Sequence, residues 1–310
     1  MKRTALKALI SVLVFLIALE GALQIAHLVT SRRAPEDISA DVPVILCLGD
    51  SHTYGAGVSE DKTYPAHLES MLQQKGIEAK VVNLGAPGTN TSQIRRELPG
   101  LLNSYTPEIV VVLAGVNNGW NRRDQAWSDI EEGLEVPVST RARDWIFANV
   151  RTVRGADVIL HRLKWAGPPE ETSRDRSGNI VIHHRDEEKG LEPPERTYDR
   201  ARRDLVAIIA ACRAEHAQAV LMTYVSDPEY TFETPNQLLR EVAARMNTPI
   251  SDNDKALRPV LMKKGKLDSE ARKKYFQPDM HPTGIGYALI AAELLSTLEK
   301  SGLLKTLEKE

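Results

Sequence analysis

The run Val44-Ile45-Leu46-Cys47-Leu48 ends abruptly in Gly49-Asp50-Ser51-His52-Thr53-Tyr54-Gly55, and this junction constrains the fold more than any other stretch of the chain. A short apolar run bounded by turn residues reads as a strand covered on both faces. Strands of that kind belong to parallel sheets, and ligands gather just beyond their carboxyl ends. The pattern recurs. Ala79–Leu84 runs into Gly85-Ala86-Pro87-Gly88, and the β-branched run Ile109–Ala114 runs into Gly115-Val116-Asn117-Asn118. Helical patterns lie between them. Thr63-Tyr64-Pro65 opens an amphipathic helix with Leu68, Met71 and Leu72 on one face and Gly76 as its stop. Thr91–Tyr105 forms a second helix, expected to break or kink near Pro99-Gly100. After a long interruption the alternation resumes with a helix over 201–218, a strand over 219–225 and a helix over 235–246. A short strand at Pro249-Ile250-Ser251-Asp252 and a closing helix over 284–300 complete it. Strands alternating with helices predict an α/β fold on a parallel sheet of about five strands.

The interruption, about 119–200, reads as an insertion into the sheet domain. Its first half carries Trp120, Trp127, Trp145, Phe147 and Trp165, with short helices expected near 142–153 and 156–164. Its second half is a solvated loop: from Glu170 to Arg200, 15 of 31 residues are charged, too many to bury. The tryptophans suit either the insertion's own packing or an acyl or sugar pocket.

Ahead of the sheet domain, Lys2, Arg3 and Lys7 precede a charge-free run from Ala8 to Leu19, and Glu20, Gln24 and His27 interrupt its apolar continuation to Val29. As a helix, 8–29 would be about 33 Å long, roughly a bilayer core. The division expected is therefore an uncleaved signal anchor and linker start over 1–33 and the sheet domain over 34–310. The basic flank would keep the amino terminus in the cytoplasm, with the domain in the periplasm or at the cell exterior. Cleavage at Val29-Thr30-Ser31 and secretion is the alternative. Glu20, Gln24 and His27 share one helix face, which would meet lipid headgroups or another membrane helix. A net charge of −2 gives no reason to expect nucleic acid as a partner. The two cysteines, Cys47 and Cys212, lie in apolar patterns and read as buried thiols rather than as a disulfide.

Acyl transfer by serine needs a nucleophile, a base, an orienting acid and donors for the oxyanion. Ser51 stands at the end of a buried strand, where backbone N–H groups point outward. His281, between Asp279 and Pro282 ahead of the last helix, is a base held near a carboxylate. The turns at Gly85 and Gly115–Asn118 end strands at the same sheet edge and supply backbone and amide donors. His183-His184 offers a metal site only weakly, since no other ligand accompanies the pair at a useful spacing. Asp252 and Asp254, at a strand end, are the alternatives to Asp279 and read more naturally as turn and cap residues.

Gly49-Asp50-Ser51, the Gly85 turn, Gly115-Val116-Asn117-Asn118 and Asp279-Met280-His281-Pro282, in that order, resemble the sequence blocks of the SGNH (GDSL-type) hydrolases. The resemblance covers about 42–298 with the insertion outside it. It implies a three-layer α/β/α sandwich of flavodoxin-like type and ester hydrolysis or acyl transfer without a cofactor or metal. Carried over by position, Ser51 is the nucleophile, His281 the base and Asp279 its orienting acid. Gly85 and Asn117 join the Ser51 N–H as oxyanion donors, with Gly88 as a rival in the same turn. Two positions depart from the pattern. Pro278 stands where the family's acid usually lies, and Asn118 where many relatives have aspartate. The substrate implied is a small-molecule or glycan ester, an acetyl ester among them. The alternatives are an O-acyltransferase acting on a carbohydrate or envelope polymer, and a non-catalytic anchored binding protein.

Overall fold

The computed structural model describes residues 2–30, 42–153, 155, 172–174, 180–182, 194–226, 232–263 and 266–307. The helix expected over 156–164, His183-His184 and nearly all of the charged loop lie outside the described residues. The chain divides into two compact units, 37–128 with 191–310, and 1–36 with 129–190.

The larger unit is built on the strand–helix alternation of the sequence. β1 (Val44–Gly49) leads into a one-turn helix, α1 (Ser51–Tyr54), and then α2 (Tyr64–Gln74), β2 (Lys80–Asn83), α3 (Thr91–Tyr105) and β3 (Ile109–Leu113) follow. After the insertion come α4 (Pro194–Ala214), β4 (Gln218–Met222), α5 (Glu233–Arg245), β5 (Ile250–Ser251), α6 (Asn253–Leu261), α7 (Ser269–Tyr275) and α8 (Gly284–Lys300). The five strands form one parallel sheet in the order β2-β1-β3-β4-β5. β1 and β3 are buried along their whole length, which is why both read as uninterrupted apolar runs. Their register pairs Cys47 with Val111 and Gly49 with Leu113. The central strand and its neighbour therefore end level, and their turns open at one edge.

Helices cover the sheet on both sides, α2 packing on α8 and α3 on α4, which also meets α5. Leu68 and Leu72 of α2 and Tyr287, Ala291, Leu294 and Leu298 of α8 are fully buried. Each of the leucines contributes about 1.5–3 kcal/mol. Thr63 caps α2 by accepting from the Ala66 N–H at 3.5 Å, and Gly76, at φ 77°, lies just past its end. α3 is one continuous helix, not broken at Pro99-Gly100. Asn90 and Gln93 close a reciprocal capping box at its start, and Ile94, Leu98 and Leu102 anchor it to the core on both sides of the proline. Cys47 and Cys212 are both free and buried, and burial pushes each thiol up to about 12.

The smaller unit contains a helix over Lys2–Thr30, a helix over Val138–Asn149 and a two-stranded antiparallel ribbon, Thr172–Arg174 with Ile180–Ile182. Among the described residues no helix is long and apolar enough to cross a membrane, so the spanning segment expected over 8–29 is not among the elements found. Val14, Phe15, Ile17 and Ile25 of the first helix are nevertheless exposed. Two members of the polar stripe on that helix, Glu20 and Gln24, meet the segment around Arg151. Glu20 accepts from the Arg151 and Thr152 N–H groups at 2.9 and 2.8 Å, and Gln24 donates to the Asn149 carbonyl at 2.6 Å. Glu20 thereby caps the helical turn that begins at Arg151.

Candidate active site

Asp50 organises the turn that follows β1. Its Oδ1 accepts the His52 N–H at 2.9 Å and so caps α1, while Oδ2 accepts the Tyr224 hydroxyl at 2.6 Å and the Asn117 amide at 3.3 Å. One fully buried carboxylate thus ties together the ends of β1, β3 and β4. Burial pushes its pKa up to about 6, against the pull of the Tyr224 and His52 hydrogen bonds. Gly49 has to be glycine, because a Cβ there would lie 2.2 Å from Thr53 Oγ1 and 2.4 Å from the Leu113 carbonyl. Thr53 is buried against the Tyr64 hydroxyl at 3.3 Å, and Gly55, at φ 87°, ends α1.

The turn leaves Ser51 partly exposed, and its Oγ lies 2.8 Å from His281 Nε2, across 230 residues of sequence. His281 arrives on a tight turn. The Gln277 N–H donates to the His281 carbonyl at 2.8 Å and the Met280 N–H to the Gln277 carbonyl at 3.0 Å, with Met280 at φ 66°. The Gln277 side chain donates to the Ala56 and Pro282 carbonyls at 2.9 and 3.0 Å. It staples the His281 turn to the loop just beyond Ser51. Asp279 Oδ2 lies 3.0 Å from His281 Nδ1, close enough for an ion pair but not aligned for a hydrogen bond. The Asp279 side chain is 67% exposed. Partial burial raises its pKa, and the neighbouring His281 outweighs that and holds the carboxyl below its ordinary value.

The two glycines of the second turn have different places. Gly85, expected as an oxyanion donor, gives its N–H to Asn83 Oδ1 at 3.0 Å. A Cβ on it would meet the Tyr54 nitrogen at 2.2 Å, so it is the residue that lets this turn pass beneath α1. The N–H groups of Ser51 and Gly88 donate to no group among the described residues. Gly88 sits at φ 79° against the Trp120 ring.

Asn117 is buried, and its amide donates to the Thr89 carbonyl at 3.1 Å as well as to Asp50. Trp120 Nε1 donates to Asn117 Oδ1 at 2.9 Å, which fixes the direction of that amide. Asparagines fasten the second turn to the third: Asn121 donates to the Gly88 carbonyl at 2.7 Å, and Asn118 donates to Thr91 Oγ1 at 2.7 Å while accepting the Thr91 N–H at 3.2 Å. At 118 an amide can both give and accept, which an ionised aspartate could not do.

Asp252 and Asp254 are engaged elsewhere. Both pair with Arg240, at 2.7 and 2.8 Å, and Asp252 caps α6. Among the described residues no three histidines, cysteines or carboxylates gather as metal ligands.

Sequence reasoning passed over His52, Gln277 and Tyr224. His52 and Gln277 stand inside the two blocks that carry Ser51 and His281, and that adjacency was the available signal. Nothing in the order of residues links Tyr224 to Asp50, 174 positions away.

Among solved structures, the chain resembles TesA at 18% identity and TM-score 0.49, over 83% of this chain and 98% of that one. It resembles the acetylxylan esterase Axe2 of Geobacillus stearothermophilus at 16% and 0.49, over 83% and 94%. An arylesterase of Vibrio mimicus is 33% identical over 75 residues, 24% of this chain and 38% of that protein, so the match spans well under half of that relative. The GDSL-like lipase/acylhydrolase family matches over residues 47–289, well beyond half of the sequence. By that match the chain belongs to the GDSL-like lipase/acylhydrolase family, and it is a hydrolase of ester bonds.

Proposed function

We propose that the protein is a serine esterase that works through an acyl-enzyme on Ser51, with His281 as general base and Asp279 orienting it. The observation that carries this reading is the 2.8 Å contact between Ser51 Oγ and His281 Nε2. Ser51 Oγ attacks the ester carbonyl carbon as its proton passes to Nε2, and the carbonyl electron pair moves onto oxygen. The tetrahedral intermediate collapses, the C–O bond to the alcohol breaks, and His281 returns the proton to the leaving oxygen. Water then repeats the sequence and frees the acid.

The unspent N–H groups of Ser51 and Gly88 are the donors best suited to the oxyanion. In this reading Gly88 takes the part first given to Gly85. Asn117 joins them by exchanging its 3.3 Å contact with Asp50 for one to the developing charge. The substrate class is a small carboxylic ester, acetyl esters of small molecules or glycans included.

We infer further that the protein is attached to a membrane through the Lys2–Thr30 helix, with the catalytic unit outside the cytoplasm. The exposed apolar side chains of that helix and the basic residues at its start support this. Extraction of the membrane fraction with carbonate, and protease treatment of intact cells, test the placement. A freely soluble, protease-protected protein overturns it.

The catalytic reading is tested by treating the protein with a fluorophosphonate probe and with a p-nitrophenyl acetate substrate, beside Ser51→Ala and His281→Ala. Labelling and turnover in the wild type, lost in both variants, are expected. A Ser51→Ala form that labels as well as the wild type overturns the assignment of the nucleophile.

A further inference from the structure

The acid beside His281 is poorly placed to hold the base by itself. Asp279 is mostly exposed, and its carboxylate is not aligned with Nδ1. A carboxylate that water reaches gives a weak hold on a ring that can rotate. The face of the ring is held differently. The His52 ring lies 4.8 Å from the His281 ring, centroid to centroid, with 31° between the planes. His52 is buried at 7% exposure, and other rings fix it in turn. Tyr224 meets it edge-on at 5.1 Å and 81°, and Phe232 at 5.5 Å and 89°. Tyr224 and Phe232 pack on each other at 5.1 Å. The backbone of His52 is tied by its N–H to Asp50 Oδ1, and Asp50 holds the Tyr224 hydroxyl as well.

We propose that His52 is the positioning residue of the base: its ring, fixed by Tyr224 and Phe232, is the wall on which the His281 imidazole is seated so that Nε2 stays on Ser51 Oγ. This rests on the reading of Ser51 and His281 as nucleophile and base. Aromatic rings 4.5–7 Å apart attract, and a ring held on one face keeps its in-plane nitrogens on a fixed bearing. Burial also depresses the pKa of His52, to about 3. An uncharged neighbour does not repel His281 when that ring takes up the serine proton. The residue next to the nucleophile therefore aims the base, and the exposed acid is left with the smaller share of that task.

Three variants test it: His52→Phe keeps a flat, uncharged ring, His52→Leu keeps apolar bulk without a plane, and His52→Ala removes both. The rate of fluorophosphonate labelling at Ser51 and the steady-state constants on p-nitrophenyl acetate are measured, with thermal melts to confirm folding. His52→Phe is expected to keep kcat within about threefold of the wild type. His52→Leu, melting with His52→Phe, is expected to lose at least about tenfold in kcat and in labelling rate with KM nearly unchanged. Should His52→Ala fail to fold, the comparison of Phe with Leu decides alone. Wild-type rates in His52→Leu overturn the proposal. So does a folded His52→Phe as slow as His52→Leu, since the imidazole nitrogens would then be what matters. A wild-type protein that neither labels nor turns over overturns the catalytic reading itself, which is a different failure.

Discussion

Replacing His52 by phenylalanine should change how the stability of the catalytic unit responds to acid, and by an amount the structure sets. Burial lowers the pKa of His52 from 6.5 to about 3, with the charge of His281 adding to the effect and Asp279 opposing it. In the unfolded chain the group binds its proton as pH falls below about 6.5, and in the folded chain only near 3. The folded state is therefore the proton-poor one in that window. The contribution of His52 to stability is fully present above about 6.5 and is lost as pH falls. The 3.5-unit difference corresponds to about 5 kcal/mol in all, of which about 2 kcal/mol is lost between pH 6.5 and 4.5.

Asp50 acts in the opposite sense. Its folded pKa of about 6 lies above the ordinary 3.8, so the folded state holds the extra proton and stability falls as pH rises from about 4 to 6. That loss is about 3 kcal/mol. Between pH 4 and 6 the two slopes nearly cancel in the wild type. His52→Phe removes one of them and leaves the other, because the backbone bond to Asp50 is kept. Urea unfolding at pH 4.5, 5.5, 6.5 and 7.5, followed by fluorescence, should give a difference between wild type and variant that shifts by about 3 kcal/mol across the series. The variant, unlike the wild type, should grow less stable as pH rises from 4.5 to 6. Parallel curves for the two proteins would refute the reasoning, since His52 would then carry the same proton folded and unfolded.

Gly85→Ala should destabilise the catalytic unit by about 1–3 kcal/mol and lower kcat, because its methyl group would displace the backbone of α1 beneath Ser51; calorimetry and an ester assay read both, and a Tm within a degree of wild type counts against the contact. Gly88→Ala, strained at φ 79° and pressed on Trp120, should cost about 1–2 kcal/mol and lower kcat more than it raises KM. Trp120→Phe removes the donor to Asn117 Oδ1 but keeps a ring on Gly88, so kcat should fall about tenfold with KM held. Asp279→Asn should lower kcat less than His281→Ala does, and equal losses in the two variants would restore the acid to the leading part.

The sheet could be read from the chain because its signal is local. Fully buried parallel strands have no solvent face, so Val44–Leu48 and Ile109–Leu113 carry nothing polar, and the turns at their ends announce themselves by glycine. Ser51 stands in a turn at the end of such a block, whereas His281 stands in a proline-flanked turn between α7 and α8, and the two are brought within 2.8 Å. What could not be read depends on which backbone groups are already taken. Gly85 and Gly88 look alike as residues. They differ because the Asn83 side chain takes the N–H of one, and Trp120 crosses the other. The proline in α3 removes one helical hydrogen bond without breaking the helix, which has buried side chains on both sides of it. Asp50 reads in sequence as the support of its own turn. Its bond to Tyr224 spans 174 positions, and the topology that brings β1 and β4 to one edge is written in no single segment.

The docking of α8 on α2 has a consequence in time. Ser51 is synthesised early and its partner His281 230 residues later, just ahead of the helix that covers Leu68 and Leu72. At ordinary rates of translation that gap lasts roughly ten to fifty seconds. Throughout it the nascent polypeptide carries a serine with nothing to activate it, and an apolar helix face waiting for its cover. On the reading of Ser51 and His281 as nucleophile and base, catalytic competence and the closing of the core arrive together, so the growing chain consumes no ester before it has finished folding.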